Sequence, residues 1–187
     1  MRQLLGTATL FAVCATAATA ATGSDNAALE QQARQLVAAF AGQLKPTLKQ
    51  ALEQGGPVHA ISVCADEAPR IAASLSAESG WAVRRVSLQP RNTGNAQADE
   101  WERTRLEEFD RQAAAGSAPG TLHASTVVDG NFRYLQAQGV ESVCLLCHGE
   151  NISPAVQAAL TEYYPDDSAT GYAPGQVRGA ISLTRKP

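Results

Sequence analysis

The sequence has 187 residues and a formal net charge of −3, with 44% hydrophobic and 18% charged residues. That length suits one domain with a leader, the small acidic balance argues against a nucleic-acid binder resting on a basic footprint, and the apolar content argues against a disordered chain. Alanine fills 35 positions while aromatic residues make up 5%, so the side chains alone offer a thin core that a large apolar ligand would complete.

Residues 1–20 read as a secretory signal peptide. Arg2 precedes an uncharged apolar run from Leu4 to Val13, and Ala18-Thr19-Ala20 matches the small-residue cleavage site. The strongly apolar stretch is about ten residues, short of the ~20 that a spanning helix needs. Residues 21–187 are then a single periplasmic domain with no segment for membrane insertion. Met1 is the only methionine, and it leaves with the leader together with Cys14.

From Asp25 to Gln54, apolar residues recur at three- and four-residue steps (Leu29, Ala33, Leu36, Val37, Phe40, Leu44, Leu48), which predicts a helix. Pro46 should kink or break it, and Gly55-Gly56-Pro57 should end it. A second helix should follow with Ile61, Cys64, Ala68, Ile71 and Leu75 on one face, bent at Pro69. Trp81 to Leu88 alternates as a strand, and Pro90 to Asn95 is a loop. Asp99 to Ala115 reads as a charged, exposed helix with an acidic start at Asp99, Glu100 and Glu102. Thr121–Val128 and Asn131–Gln136 are strands joined by Asp129-Gly130, a strong hairpin signal. A short helix carries Val143–His148, another spans Pro154–Tyr163, and Val177–Thr184 is a closing strand. Strands and helices mix without a βαβ rhythm, so the fold class is α+β.

Cys144-Leu145-Leu146-Cys147-His148 carries the chemistry. It is the attachment pattern of a c-type haem. Thiols one helical turn apart can join the two vinyl groups of one porphyrin, and the adjacent imidazole becomes the proximal iron ligand. A zinc site would need a second Cys/His pair at knuckle spacing, which is missing. A Cys144–Cys147 disulfide is the other reading in an oxidising compartment. The usual opposite ligand, methionine, is excluded by counting. His59, His123, Cys64, an oxygen or nitrogen donor, and water remain as candidates. Each histidine has an ordinary structural reading, and Cys64 has one as a small buried hydrophobe. A lone thiol in an exported protein is, however, an oxidation liability unless something holds it.

Several segments together resemble the single-haem Tll-type domain family. They are Ile61-Ser62-Val63-Cys64-Ala65-Asp66-Glu67-Ala68-Pro69, Arg85-Val86-Ser87-Leu88 with Pro90-Arg91-Asn92, Asp99-Glu100-Trp101-Glu102, Cys144 to Gly149, Tyr164-Pro165-Asp166-Asp167, and Gly171 to Ser182. The resemblance implies a PAS-like antiparallel sheet with flanking helices around one covalently bound haem c, ligated by His148 and Cys64. It also matches Arg91 and Arg178 to family positions, where either would pair with a haem propionate. A thiolate ligand should favour ferric iron, and its release on reduction would admit carbon monoxide or nitric oxide. The expected function is therefore a redox or small-gas sensor module working through an unidentified redox or signalling partner. The alternative is a low-potential electron carrier. An enzyme is not expected, because no acid–base pair accompanies the motif.

Overall fold

The computed structural model describes residues 18–186. Residues 1–17, most of the expected signal peptide with Met1 and Cys14, lie outside the described residues. The chain runs through α1 (Ala18–Ser79), β1 (Ala82–Val86), α2 (Glu100–Ala114), β2 (His123–Val128), β3 (Asn131–Gly139), α3 (Leu145–His148), α4 (Pro154–Tyr163) and β4 (Val177–Arg185). Among the described residues, no helix is long and apolar enough to cross a membrane.

The two expected N-terminal helices exist, joined as α1 with a break at Gly55 (φ −150°) and Gly56 (φ 70°, ψ −168°). Gly56 takes a left-handed conformation that side chains disfavour. Pro46 does not break the helix, contrary to expectation: the non-helical angles fall only on the two glycines, and Pro69, where a bend is expected, also stays within helical angles. Both prolines are exposed, so the bonds they remove lie on the solvent side, where water can replace them.

The four strands form one antiparallel sheet in the order β1-β4-β3-β2. The β2–β3 hairpin turns at Asp129 and Gly130, both at positive φ. The strand alternation divides the sheet into two faces. Val83, Phe132, Tyr134, Ile181 and Leu183 pack with Trp81 against Ala33, Phe40, Ile71 and Leu75 of α1. On the other face, Val86, Leu135, Ala137 and Ala180 pack against Leu106 and Phe109 of α2. α4 docks through Val156, Ala159 and Leu160 on Ile61.

The α2 face also holds a fully buried carboxylate. Asp99 caps α2 and shares a capping box with Glu102. Glu102 also reaches into the sheet, where it meets Arg84 of β1, Arg133 of β3 at 3.0 Å and the Ser182 hydroxyl of β4 at 2.6 Å. Three strands are thereby tied to one side chain of the helix.

Candidate cofactor cleft

Between α1 and its face of the sheet lies a cleft of about 1220 Å³, above the roughly 300–1,000 Å³ of ordinary small-molecule pockets. Leu44, Leu48 and Leu52 from the first half of α1, Ile61 and Ala68 from its second half, and Val83 and Ile181 from the sheet give it apolar walls. Cys64, Cys144, Cys147, His148, Arg91 and Arg178 all line this one cleft, although they come from four separate parts of the chain.

A 3₁₀ turn, Ser142–Cys144, runs directly into the single turn of α3. That geometry places Cys144 and Cys147, three residues apart, on one side. Gly149 stops the helix, and a Cβ there would lie 2.8 Å from the Leu145 carbonyl oxygen. The three described cysteines, Cys64, Cys144 and Cys147, are free thiols, so the Cys144–Cys147 disulfide is absent.

His148 is held from behind. Its Nδ1 lies 2.7 Å from the Ala169 carbonyl oxygen. A carbonyl can only accept, so Nδ1 carries the proton and donates. The Nε of Arg178, 3.1 Å from the same nitrogen, then finds no lone pair there and sits as a close positive neighbour. Nε2 is left as the lone-pair nitrogen, 3.4 Å from Arg91 Nη1. Burial, then the charges of Arg178 and Arg91, push the imidazole down to about 2. The ring is therefore neutral across the physiological range, with one fixed tautomer and one lone-pair nitrogen that meets the long contact from Arg91, the state in which an imidazole binds metal. The Tyr172 ring stands edge-on to it at 6.3 Å.

Cys64 sits half-buried on the second half of α1. Burial pushes its thiol up, while the charges of Arg85 and Arg91 pull it down. Burial likewise raises Cys147.

The two arginines singled out in the sequence differ in their partners. Arg91 Nε donates to Asp167 at 3.0 Å, and its Nη2 donates to the carbonyls of Cys147 and Ala169. It straps together the segments on either side of His148, and its charge is matched. Arg178 donates to the Ser87 hydroxyl at 2.8 Å and to the Gln89 carbonyl at 3.1 Å, both neutral acceptors. A third guanidinium, Arg85, also lines the cleft, and the sequence reading passed over it as a site residue. The available signal was the Arg84-Arg85 pair in an alternating strand, which must send one arginine to each face.

The histidine alternatives are placed elsewhere. His59 is exposed and His123 packs on Tyr134 at 5.9 Å beside Arg34, and neither lines the cleft. Tyr164 adds an aromatic wall to the cleft. Trp81 and Phe132 instead meet edge to face in the core, and Trp101 lies under Arg133 at 4.6 Å.

A search of curated proteins gave no match. Among solved structures, the fold is similar to the crystal structure of the cyanobacterial haem protein Tll0287, with a TM-score of 0.60 and 26% sequence identity over 91% of this chain and 97% of that chain. The profile of the Tll0287-like family matches residues 16–185, a span that takes in the cysteine–histidine motif, the Cys64 helix and the whole sheet, and the chain belongs to that family.

Proposed function

We propose that the cleft holds one haem c, joined to Cys144 and Cys147 and ligated by His148 and Cys64, in a PAS-like domain of the periplasm. The protein serves there as a redox or small-gas sensor module. The observation that carries this reading is convergence. Two thiols at attachment spacing, a neutral imidazole with a lone-pair nitrogen and a third thiol from a distant helix share one large apolar cleft. A haem bound there supplies a one-electron couple.

The chain's own groups set how that couple behaves. The Ala169 carbonyl fixes the His148 tautomer and ring orientation. Cys64 brings negative charge as a thiolate, which disfavours reduction. Burial favours the same sulfur as a neutral thiol, the form that would hold iron less strongly and would leave room there for carbon monoxide or nitric oxide. The output passes to a redox or signalling partner.

A second reading, a low-potential electron carrier, draws on a different observation. Val143 and Leu146, at 43% and 46% exposure, lie beside the motif at the cleft. An apolar rim of that kind suits transient contact with a redox partner.

The test is spectroscopic. Protein matured with haem should give one covalent haem by pyridine haemochrome, and a ferric low-spin thiolate signature by absorbance and EPR. Cys64→Ala should abolish that signature and keep the covalent haem. Unchanged spectra in the variant would remove Cys64 from the iron. Carbon monoxide binding with a structural response supports the sensor, and fast electron self-exchange without one supports the carrier.

A further inference from the structure

The cleft contains more positive charge than the chain neutralises. Five arginines and Lys45 line it; Arg34 has Glu30, Lys45 has Glu141, Arg84 has Glu102 and Arg91 has Asp167. Arg178 has only neutral acceptors in the Ser87 hydroxyl and the Gln89 carbonyl. Arg85 has a single contact among the described residues, from Nε to the Gln138 side-chain oxygen at 3.2 Å. Its two terminal nitrogens are left without a hydrogen-bond partner, and no carboxylate pairs with it.

Arg84, its neighbour in β1, shows what the fold does with such a charge. Arg84 points to the other face and meets the buried Glu102 carboxylate. The same strand thus presents two forks, one with an internal anion and one without. Arg85 is half-buried in the cleft wall, where a cation gains from an anionic partner, and Arg91 nearby adds a like charge that works against it. The planar pair of terminal nitrogens matches a carboxylate with two parallel bonds. Gln138 fixes the fork through Nε and leaves that pair for the ligand.

We infer that Arg85 is an anion-binding residue of the cleft, taking up a propionate carboxylate of the bound haem. The assignment rests on the haem reading given above. It moves the role from Arg91, whose charge Asp167 already matches, to a residue chosen by its lack of a partner. Arg178, the other guanidinium without a carboxylate, is the natural neighbour for the second propionate.

The test uses the full haem-loaded chain. Covalent haem content is measured first, and a wild-type chain matured without haem overturns the haem reading itself. With haem present, the reduction potential is followed from pH 5 to pH 9 in wild type, Arg85→Gln and Arg85→Lys. The glutamine variant should gain a second proton-linked fall in potential with rising pH, beyond the one that Cys64 gives wild type, because the propionate carboxyl group is no longer held ionised. Lysine should restore most of the wild-type profile. A haem-loaded Arg85→Gln whose profile superimposes on wild type overturns the assignment. A wild-type potential that follows added phosphate, with the dependence lost in Arg85→Gln, points to a small free anion and overturns the propionate. Where the glutamine variant fails to accumulate, resonance Raman of wild type and Arg85→Lys decides. A propionate bending band that differs between the two supports Arg85, and identical bands refute it.

Discussion

Glu102→Gln separates the fold from the cleft. Glu102 is fully buried, and it meets Arg84, Arg133 and Ser182 across three strands. The amide keeps the size and can still accept from Ser182, but the negative charge goes. Breaking a buried ion pair from one side costs about 3–5 kcal/mol. Two features reduce that figure. The Arg84 side chain is 39% exposed, so water takes over part of its solvation. Arg133 keeps Asp99 at 2.7 Å. The expected loss is therefore about 2–3 kcal/mol, below that range. For a chain of this size each kcal/mol moves Tm by about 2–4 °C, which gives a fall of roughly 4–12 °C. Thermal unfolding followed by circular dichroism measures it, and the visible spectrum of the loaded protein should not change, because Glu102 lies on the sheet face away from the cleft. A Tm within about 2 °C of wild type, less than 1 kcal/mol on that scale, would show that the charge network adds no net stability. A changed visible spectrum would show that the two faces are not independent.

Tyr134 has no exposed surface and donates to Gln136 at 2.6 Å, and burial pushes its phenol up to about 12. The folded state therefore prefers the neutral phenol. Its stabilising effect is intact below about pH 10, the unfolded value, and is lost as the pH rises from there towards 12, which tyrosinate absorbance tracked alongside unfolding should show. Gly179 stands at φ 156°, where an added Cβ would lie 2.4 Å from the Val86 carbonyl oxygen. Gly179→Ala should cost about 1–3 kcal/mol from crowding, with backbone strain in addition, and denaturant unfolding at wild-type midpoint would contradict the close β1–β4 approach.

Local signals in the sequence carried well where they were self-contained. The Asp129-Gly130 turn, the acidic start of the Asp99–Ala115 helix and the Cys144–His148 spacing each fix their geometry within a few residues, and each appears as read, with Asp99 itself standing one residue outside the helix as its cap. The break expected at Pro46 failed because the cost of a proline depends on where its lost bond points, and Pro46 faces water. The 3₁₀ turn at Pro119–Thr121 shortened β2 from its expected start at Thr121, since a proline and a glycine just upstream favour a turn over a ladder. β3 runs on to Gly139 because β4 supplies a partner from far along the chain. The cleft was legible as a set of residues, not as a place. Cys64 and His148 are 84 positions apart, and nothing local says that they meet. Arg85 escaped notice for the same reason, because its significance is a carboxylate that is not there.

The strand order has a consequence for assembly. β4 pairs with β1 on one side and β3 on the other, yet it follows every other element in the chain. Until Val177–Arg185 arrives, α1 with β1 and the β2–β3 hairpin are two fragments with no hydrogen-bonded seam between them. The attachment motif at Cys144–His148 precedes that seam, so it is synthesised before the wall opposite it is in place. Pairings this distant in sequence are slow to form. The cleft wall that Ile181 supplies therefore forms only when this last segment pairs, so closing the sheet and completing the cleft are one event.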